Sequence, residues 1–346
     1  MKKNTTSRRV FLRSCGVIGL GLAAGGISPL TAEAARFKSR PGEKLHQTSQ
    51  TRMLMGTFVT VNVVHPSRDK GREAVERAFG EMKRLIAIFD RHDGSTPISV
   101  LNETGRVDGA PVELTEVANR ALRLNGLSFG AFDATIAPLV DLYKLHAGNG
   151  MSFSDAEFRD VLELVDSSSV KVQGQRIAFG KSGMGLTLDG IAKGFIVDKA
   201  SEALTRMGAV NHLVNAGGDI RTSGERDQGR PWKIAVEDPE KRGDYPEVLH
   251  VRNCAMATSG VYESFYDEKK IYNHLVSPET GRSPRSVAGV TVTAPTVMEA
   301  DALSTSVCLM SLDKGIEFIY SLPGRECLIL AASGRKMRSK GWNYGA

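Results

Sequence analysis

The chain has 346 residues, of which 45 are Lys or Arg and 39 are Asp or Glu, and its formal net charge is +6 at pH 7. Residues 1–34 contribute five basic residues and one acidic residue, a charge of +4, so only +2 remains on residues 35–346 and nothing favours nucleic acid or an anionic membrane surface as a partner. The cysteines of that remainder, Cys254, Cys308 and Cys327, form neither a zinc-binding spacing nor a disulfide framework, and about 310 residues are enough for one large domain or two lobes.

Residues 1–34 have the organisation of a twin-arginine signal peptide. Basic residues that include the pair Arg8-Arg9 precede a mildly apolar segment rich in glycine and alanine, and Ala32 and Ala34 form a small-residue cleavage signal. A membrane anchor is the alternative, but the apolar segment is short and rich in glycine. We therefore expect export in the folded state to the periplasm, with peripheral membrane association as a further option. Residues 35–50 are expected to form a flexible leader ahead of one domain at residues 51–346.

Hydrophobic periodicity along the rest of the chain predicts a mixture of strands and helices. Alternation of apolar and polar residues indicates strands, and apolar residues at a spacing of three to four indicate helices. Because the two types do not alternate strictly, the sequence predicts an α+β fold. In chain order the predicted elements are a strand at 57–64, helices at 69–89 and 114–127, a hairpin at 170–179, a helix at 191–207, strands at 212–214, 232–236 and 287–294, and a helix at 297–310.

Asp301 and Thr305 are four residues apart on the last predicted helix, so their side chains project from one face. A carboxylate and a hydroxyl on one face can share a magnesium ion, which takes few protein oxygens and leaves positions open for phosphate and water. Taken alone, the same pattern also fits an ordinary helix with a solvated aspartate and a threonine bonded to its own backbone.

A helix N-terminus is predicted after residues 188–190. Free backbone N–H groups and the helix dipole favour phosphate at such a position, and the ammonium of Lys193 would add a point charge. Alternatively, Gly190 serves only the geometry of a strand-to-helix turn. Together with Asp301, Thr305 and the turn at Gly217-Gly218, this segment suggests the handling of a magnesium-bound diphosphate.

His274 stands in the segment 272–281, just before a Pro-x-Thr-Gly turn. Histidine is the usual proton acceptor near neutral pH, so His274 is a candidate general base. The alternative is a buried structural histidine that donates a hydrogen bond to a backbone carbonyl.

Taken in order, seven short motifs of this chain resemble the ApbE family of FAD:protein FMN transferases, and the resemblance covers essentially residues 50–340. The resemblance implies two mixed α/β lobes with a nucleotide cleft between them. It also implies magnesium-dependent transfer of the FMN moiety of FAD to a Ser or Thr of a partner protein, with AMP released and an exported, membrane-linked redox flavoprotein as the expected acceptor. The motifs are Met55-Gly56-Thr57 and the segments 130–135, 188–194, 215–220, 257–260, 274–281 and 300–305.

Carried over residue by residue, the resemblance implies roles for individual side chains and backbone groups. Magnesium would be bound by Asp301, Thr305 and the backbone carbonyl of Gly190, with Ser304 as a lesser candidate. The catalytic residues would be Asp301 and His274, the latter as the base that accepts the proton of the target hydroxyl. The residues that contact FAD would be Met55, Ala131, Phe132, Asp133, Thr187, Lys193, Asn215, Gly217, Gly218 and His274.

The chain departs from the family pattern at a few positions. Thr187 stands where members often have an aspartate, and the carboxylate is found instead at Asp189. Val261 stands before Tyr262, where an acidic residue is common, and the flavin-contacting aromatic expected near residues 89–92 has no clear equivalent. Two rival functions remain open from sequence: an FAD pyrophosphatase that produces FMN and AMP, and a non-catalytic FAD-binding maturation protein.

Overall fold

A computed structural model describes residues 44–147, 151, 153–227, 229–243 and 245–342. These residues form eight α-helices and thirteen β-strands. Helices and strands are interspersed along the chain without strict alternation, which confirms the predicted α+β class. The predicted signal peptide lies outside the described residues. None of the described helices combines the length and the apolar content that a membrane span needs.

The largest element is an eight-stranded sheet in which every pair of neighbours is antiparallel. Its order across the sheet is β1-β2-β6-β7-β10-β11-β12-β13. The strands are β1 (His46–Leu54), β2 (Thr57–His65), β6 (Asn211–Ala216), β7 (Asp219–Ser223), β10 (Ala255–Gly260), β11 (Val287–Thr293), β12 (Glu326–Ala331) and β13 (Lys336–Arg338). A three-stranded sheet holds β3 (Arg106–Asp108), β4 (Val170–Gln173) and β5 (Arg176–Phe179), and a separate hairpin holds β8 (Trp232–Val236) and β9 (Glu247–Val251).

The helices are α1 (Arg68–Phe89), α2 (Pro97–Thr104), α3 (Val112–Leu127), α4 (Ala137–His146), α5 (Asp155–Leu162), α6 (Ala192–Arg206), α7 (Val297–Cys308) and α8 (Leu312–Tyr320). Helix α7 is apolar or small on nearly every side, and almost all of its residues are buried. A helix of that kind is expected inside a protein rather than on its surface. It packs between α6 and strands β10 and β11, which places Asp301 and Thr305 in the interior of the molecule.

The main hydrophobic core lies between the large sheet and helices α1, α3, α6 and α7. A second cluster covers the opposite face of the sheet, where Trp232 and Ile234 of the β8–β9 hairpin pack with Leu213 and Leu328. Because both faces are covered, β2 is buried continuously from Val59 to Val64 instead of alternating.

The prediction of a flexible leader at residues 35–50 is wrong for residues 46–50. Strand β1 begins at His46, and all nine of its residues pair with β2. The segment reads as polar because β1 lies at the edge of the sheet and its residues alternate between partly buried and exposed positions. An edge strand with one solvated face needs few apolar side chains, so hydrophobicity alone does not reveal it.

Candidate active site

Helices α6 and α7 meet at Gly194, near the first turn of α6. A Cβ atom at this position would lie 2.4 Å from the carbonyl oxygen of Val297, so only glycine allows the two helices to approach this closely. The backbone N–H of Gly194 donates to Oδ2 of Asp301 at 3.0 Å. Asp301 is 4% exposed, and its carboxylate is therefore fixed at the N-terminus of α6, where unpaired N–H groups and the helix dipole favour negative charge.

Lys193 forms an ion pair with a carboxylate that sequence reasoning did not select, Asp219. The Lys193 Nζ and Asp219 Oδ2 atoms are 2.9 Å apart, and the Asp219 side chain is 1% exposed. Apart from this ion pair, neither oxygen of Asp219 has a hydrogen-bond partner in the described part of the chain. Burial alone would lower the pKa of Lys193, but the charges of Asp219 and Asp301 outweigh it and raise the pKa. The only sequence signal for Asp219 was its position directly after the Gly217-Gly218 turn.

Asp301 is the residue of this group with the strongest need for a cation. Burial disfavours its ionised form and the charge of Asp219 repels it, while Lys193 offsets this only in part, so the pKa of Asp301 is raised well above its ordinary value. With both carboxylates ionised, this trio carries a net charge of −1. A divalent cation next to Asp301 would favour the ionised form and remove that excess charge.

The oxygen atoms near Asp301 fit a magnesium ion. A Cβ built on Gly190 would lie 3.2 Å from Thr305 Oγ1, so the backbone of Gly190 packs against that hydroxyl. The structure thus brings together Asp301, Thr305 and Gly190, the donors implied by the resemblance, and all of them offer oxygen, the ligand atom that magnesium prefers. No group of three or more His, Cys, Asp or Glu side chains in the described ranges could hold a metal ion.

Ser304 and Ser259 surround the hydroxyl of Thr305. Ser259 Oγ lies 3.2 Å from Thr305 Oγ1 and 2.7 Å from Ser304 Oγ. Ser304 Oγ also donates to the backbone carbonyl of Asp301 at 2.9 Å. Ser304 is therefore engaged within its own helix, which agrees with its lower rank as a cation ligand.

The turns predicted to contact the nucleotide lie next to each other. Met55 and Gly56 form the β1–β2 turn with φ angles of 52° and 69°, and Gly217 and Gly218 form the β6–β7 turn with φ angles of 61° and 100°. A Cβ on Gly217 would lie 2.5 Å from Thr57 Oγ1, so the two turns are in close contact. The second turn is fixed by Asn215, whose Oδ1 accepts a hydrogen bond from the Gly218 N–H at 2.9 Å.

Within residues 130–135, the side chains have different tasks. The Phe132 ring lies 3.3 Å from the Cβ position of Gly190, so this segment reaches the candidate cation site, and Ala131 is partly exposed beside it. The carboxylate of Asp133 accepts hydrogen bonds from the Thr135 N–H at 2.8 Å, from Ser167 Oγ at 2.7 Å and from the amide of Asn125 at 3.0 Å. This carboxylate is therefore engaged in holding the fold.

Thr187 and Asp189, the positions at which the chain departs from the family, have opposite environments. Thr187 is 9% exposed, and its Oγ1 accepts a hydrogen bond from the Asp189 N–H at 3.4 Å. The side chain of Asp189 is 68% exposed and points toward Arg91. The aromatic residue in the 89–92 region, Phe89, is buried and packs edge-on against Phe195 with ring centroids 5.8 Å apart, so it belongs to the core.

His274 has the tautomer and charge state that a general base needs. Its Nδ1 lies 3.4 Å from the carbonyl oxygen of Ser264, and because a carbonyl only accepts, Nδ1 carries the hydrogen and Nε2 the lone pair. Nε2 has no hydrogen-bond partner among the described residues. Burial and the charge of Lys193 lower the pKa of His274, so its neutral form dominates at pH 7. The backbone contact is the one expected of a structural histidine, yet it leaves the second nitrogen available.

A groove of about 490 Å³ lies beside the His274 loop, but none of the candidate residues lines it. Its walls include Asn273, Phe265 and Val261, with Lys269 and Arg285 at the rim. The candidate active site lies instead where Lys193, at the start of α6, meets Asp219, directly after the Gly217-Gly218 turn.

Comparisons with known proteins identify the family of this chain. The model of the ApbE family matches residues 55–329. An FAD:protein FMN transferase of Vibrio cholerae is 32% identical over 295 residues, which cover 80% of this chain and 84% of that protein. An FAD:protein FMN transferase of Haemophilus influenzae is 29% identical over 263 residues, which cover 72% and 75%.

Solved structures show the same fold. The ApbE protein of Thermotoga maritima superposes with a TM-score of 0.77 at 28% identity, over 85% of this chain and 97% of that one. The flavin transferase ApbE of Vibrio cholerae superposes with a TM-score of 0.73 at 24% identity, over 86% and 98%, which supports the fold alone. Because the family model matches well over half of the chain, this protein belongs to the ApbE family.

Proposed function

We propose that the protein transfers the FMN moiety of FAD to a hydroxyl group of a partner protein and releases AMP. The supporting observation is the buried group at the start of α6, where Lys193, Asp219 and Asp301 lie beside Gly190 and Thr305. The relatives that match over most of their length carry the name FAD:protein FMN transferase, which supports the same assignment. The protein is accordingly a transferase with FAD as substrate.

The bonds change in one displacement at phosphorus. The acceptor oxygen bonds to the phosphorus of the FMN half, and the bond from that phosphorus to the oxygen of the AMP half breaks. Nε2 of His274 takes the proton of the attacking hydroxyl. Lys193 supplies fixed positive charge near the diphosphate, and Asp219 holds Lys193 in place through the 2.9 Å ion pair.

Magnesium fits the donors at this site. Held by Asp301, Thr305 and the carbonyl of Gly190, the ion would neutralise diphosphate oxygens and improve AMP as the leaving group. Asp301 contributes the charge of this set, and the Gly194 N–H fixes the direction of its carboxylate. The contact between Gly190 and Thr305 keeps the other two donors together.

The acceptor is proposed to offer a Ser or Thr hydroxyl and to be an exported redox flavoprotein linked to the membrane. The motivation is the twin-arginine pattern at Arg8-Arg9 together with the family resemblance, and the same pattern is the reason for proposing a periplasmic location.

Mass spectrometry of an acceptor candidate tests the proposal. The mature protein is incubated with FAD, Mg²⁺ and the candidate, and a matched sample carries the candidate with its modified Ser or Thr changed to Ala. Transfer predicts a mass gain of one FMN on the first candidate only, with one AMP released per modification. Free FMN and AMP without any mass gain would identify a pyrophosphatase. Unchanged FAD in all samples would identify a non-catalytic FAD-binding protein.

A further inference from the structure

Arg91 is a buried cation that the transfer chemistry above does not use. It follows the end of α1, and its side chain is 5% exposed. Its two terminal nitrogens donate to the carboxylate of Asp141 on α4 at 3.0 and 2.7 Å. The remaining donor, Nε–H, is buried and has no hydrogen-bond partner in the described part of the chain. Buried donors without a partner are rare and unfavourable, so the unpaired Nε–H of Arg91 requires an explanation.

Asp189 lies next to that unpaired donor. Its Oδ2 atom is 3.7 Å from Arg91 Nε, which is close enough for attraction between charges but too far for a hydrogen bond. The two-fold bond to Asp141 fixes the guanidinium, whereas the Asp189 side chain is 68% exposed. A small shift of the Asp189 loop toward Arg91 would therefore pair the free N–H.

The residue after Asp189 is Gly190, whose backbone packs against Thr305 and Phe132. A shift of Asp189 would thus change the position of the carbonyl assigned to the cation. Tyr266 lies near the same group, but burial raises its pKa to about 12 and keeps it neutral. The anions that face Arg91 are therefore Asp141 and Asp189.

We propose that Arg91 is a positioning residue: its Nε–H bonds to Asp189 when FAD and the cation are bound, and this bond fixes the Gly190 carbonyl at the cation site. The inference rests on the proposed function, because it concerns the same diphosphate site. It gives a role to Asp189, which directly precedes Gly190 and whose Oδ2 atom lies 3.7 Å from Arg91 Nε. Partners of metal ligands often change metal affinity by about 10- to 100-fold when they are removed.

Calorimetric titration of FAD tests the inference without relying on activity. Titrations are run with saturating Mg²⁺ and with EDTA for the wild type and for Asp189→Ala. We expect the substitution to weaken FAD binding on the order of tenfold in Mg²⁺ and to leave binding in EDTA unchanged. Asp108→Ala is the matched control, because Asp108 is also exposed and paired with an arginine, Arg176 at 3.3 Å, in the small sheet. The control should bind like the wild type in both conditions.

Arg91→Lys completes a double-mutant cycle, because lysine keeps the charge but lacks the third donor of the guanidinium. We expect it to show the same Mg²⁺-dependent loss, and Asp189→Ala should add little to it. The inference is overturned if the losses of FAD affinity from the two substitutions multiply in the double variant. It is also overturned if the loss caused by Arg91→Lys persists in EDTA, because Arg91 would then contact FAD itself. If Arg91→Lys does not fold, equal behaviour of Asp189→Ala and Asp108→Ala overturns it alone. A wild type that binds no FAD in either condition would instead remove the proposed function.

Discussion

The buried charges at the start of α6 are unusual because one lysine faces two carboxylates. The Lys193 Nζ is bonded to Asp219, and the hydrogen-bond partner of the Asp301 carboxylate among the described residues is the backbone N–H of Gly194. In an ordinary core such an excess of negative charge would be unfavourable. At this position the excess negative charge is consistent with a binding site in which a cationic ligand completes the charge balance.

Asp301→Asn should abolish the response to Mg²⁺ while the fold is kept. The asparagine oxygen can still accept the Gly194 N–H, and loss of the charge relieves the repulsion from Asp219. We expect transfer to fall by about 10²-fold or more, and we expect Mg²⁺ to raise the Tm of the wild type but not that of the variant. Asp313→Asn, on the exposed first turn of α8, is the control and should change neither quantity. An intact Mg²⁺ effect in Asp301→Asn would place the cation elsewhere.

His274→Gln should slow transfer by about 10²- to 10⁴-fold at pH 7 with little effect on FAD affinity. Because burial and Lys193 lower the pKa of His274, the wild-type rate should stay level near pH 7 and fall only at pH values below the ordinary histidine pKa of about 6.5. Single-turnover measurements at saturating FAD across this range check both points. His250→Gln, at an exposed position of β9, should keep the wild-type profile. A pH profile that survives in His274→Gln would exclude the imidazole as base.

Individual residues of the site were predictable to different degrees. Asp301, Thr305 and Gly190 were identified from ordered motifs, and the structure brings them together. Asp219 was missed because a lone aspartate at a strand start has no distinctive spacing. Arg91 was missed because its unpaired Nε–H can be recognised only from the positions of Asp141 and Asp189, which are distant from it in sequence.

At the scale of elements, the site depends on how closely α6 approaches α7. Gly194 allows that approach, and its N–H orients Asp301 on the facing helix. The long helices α1, α3, α6 and α7 were predicted within a few residues, since α1, α3 and α6 each have a buried stripe and α7 is a long run of apolar and small residues. The edge strand β1 was not, because its pairing with β2 is invisible in its own polar sequence.

Gly194→Ala should destabilise the protein and inactivate it together. The added methyl group would lie within 2.4 Å of a backbone oxygen, so α6 and α7 must separate. We expect a loss of about 1–3 kcal/mol, measured by urea unfolding, and weaker FAD binding. Gly80→Ala is the matched control, because a Cβ there meets nothing within 4 Å in the middle of α1. That substitution should raise stability by about 0.5–1 kcal/mol. Equal stability of the two variants would contradict the close approach.

His212 makes the contact between α6 and β6 sensitive to acid. Its Nδ1 donates to the Ala209 carbonyl at 2.6 Å, and its Nε2 accepts from Ser201 Oγ at 2.7 Å, so the neutral ring is fully used. Burial lowers its pKa to about 4, below the unfolded value of about 6.5. Protons therefore bind preferentially to the unfolded chain, and this stability is present above pH 6.5 and lost as the pH falls toward 4.

Protonation linked to His212 should lower the free energy of unfolding by about 3 kcal/mol when the pH falls below both pKa values. Urea unfolding at pH 7 and pH 4.5 checks it by comparing the wild type with His212→Asn. The variant is expected to be less stable at pH 7 but to lose less between the two pH values. An equal loss in both proteins would show that the imidazole does not titrate with folding.

For the whole molecule, the sequence led to the class and the family but not to the arrangement of the sheet. The order of the eight strands is set by pairings between segments as distant as β2 and β6, which leave no mark on either strand alone. The family resemblance succeeded because it uses many short motifs in order and does not depend on knowing which strands pair.

Export is proposed to depend on the paired arginines near the N-terminus. Arg8→Lys with Arg9→Lys should keep the charge and block the folded-protein route, because the exporter reads the arginine pair. Cell fractionation should then find the protein and its flavin-transfer activity retained in the cytoplasm. Lys2→Arg with Lys3→Arg is the charge-matched control and should be exported normally. Unchanged periplasmic protein in the first variant would favour the general secretory route.

The contact of Gly194 with Val297 has a consequence for the order of events during synthesis. Half of the site, at Gly190 and Lys193, is made more than a hundred residues before Asp301 and Thr305. A nascent chain that has not yet reached α7 lacks Asp301, Thr305 and the surface on which α6 docks. Such long-range closure is a late step in folding. Bound FAD would therefore mark a chain whose folding is finished.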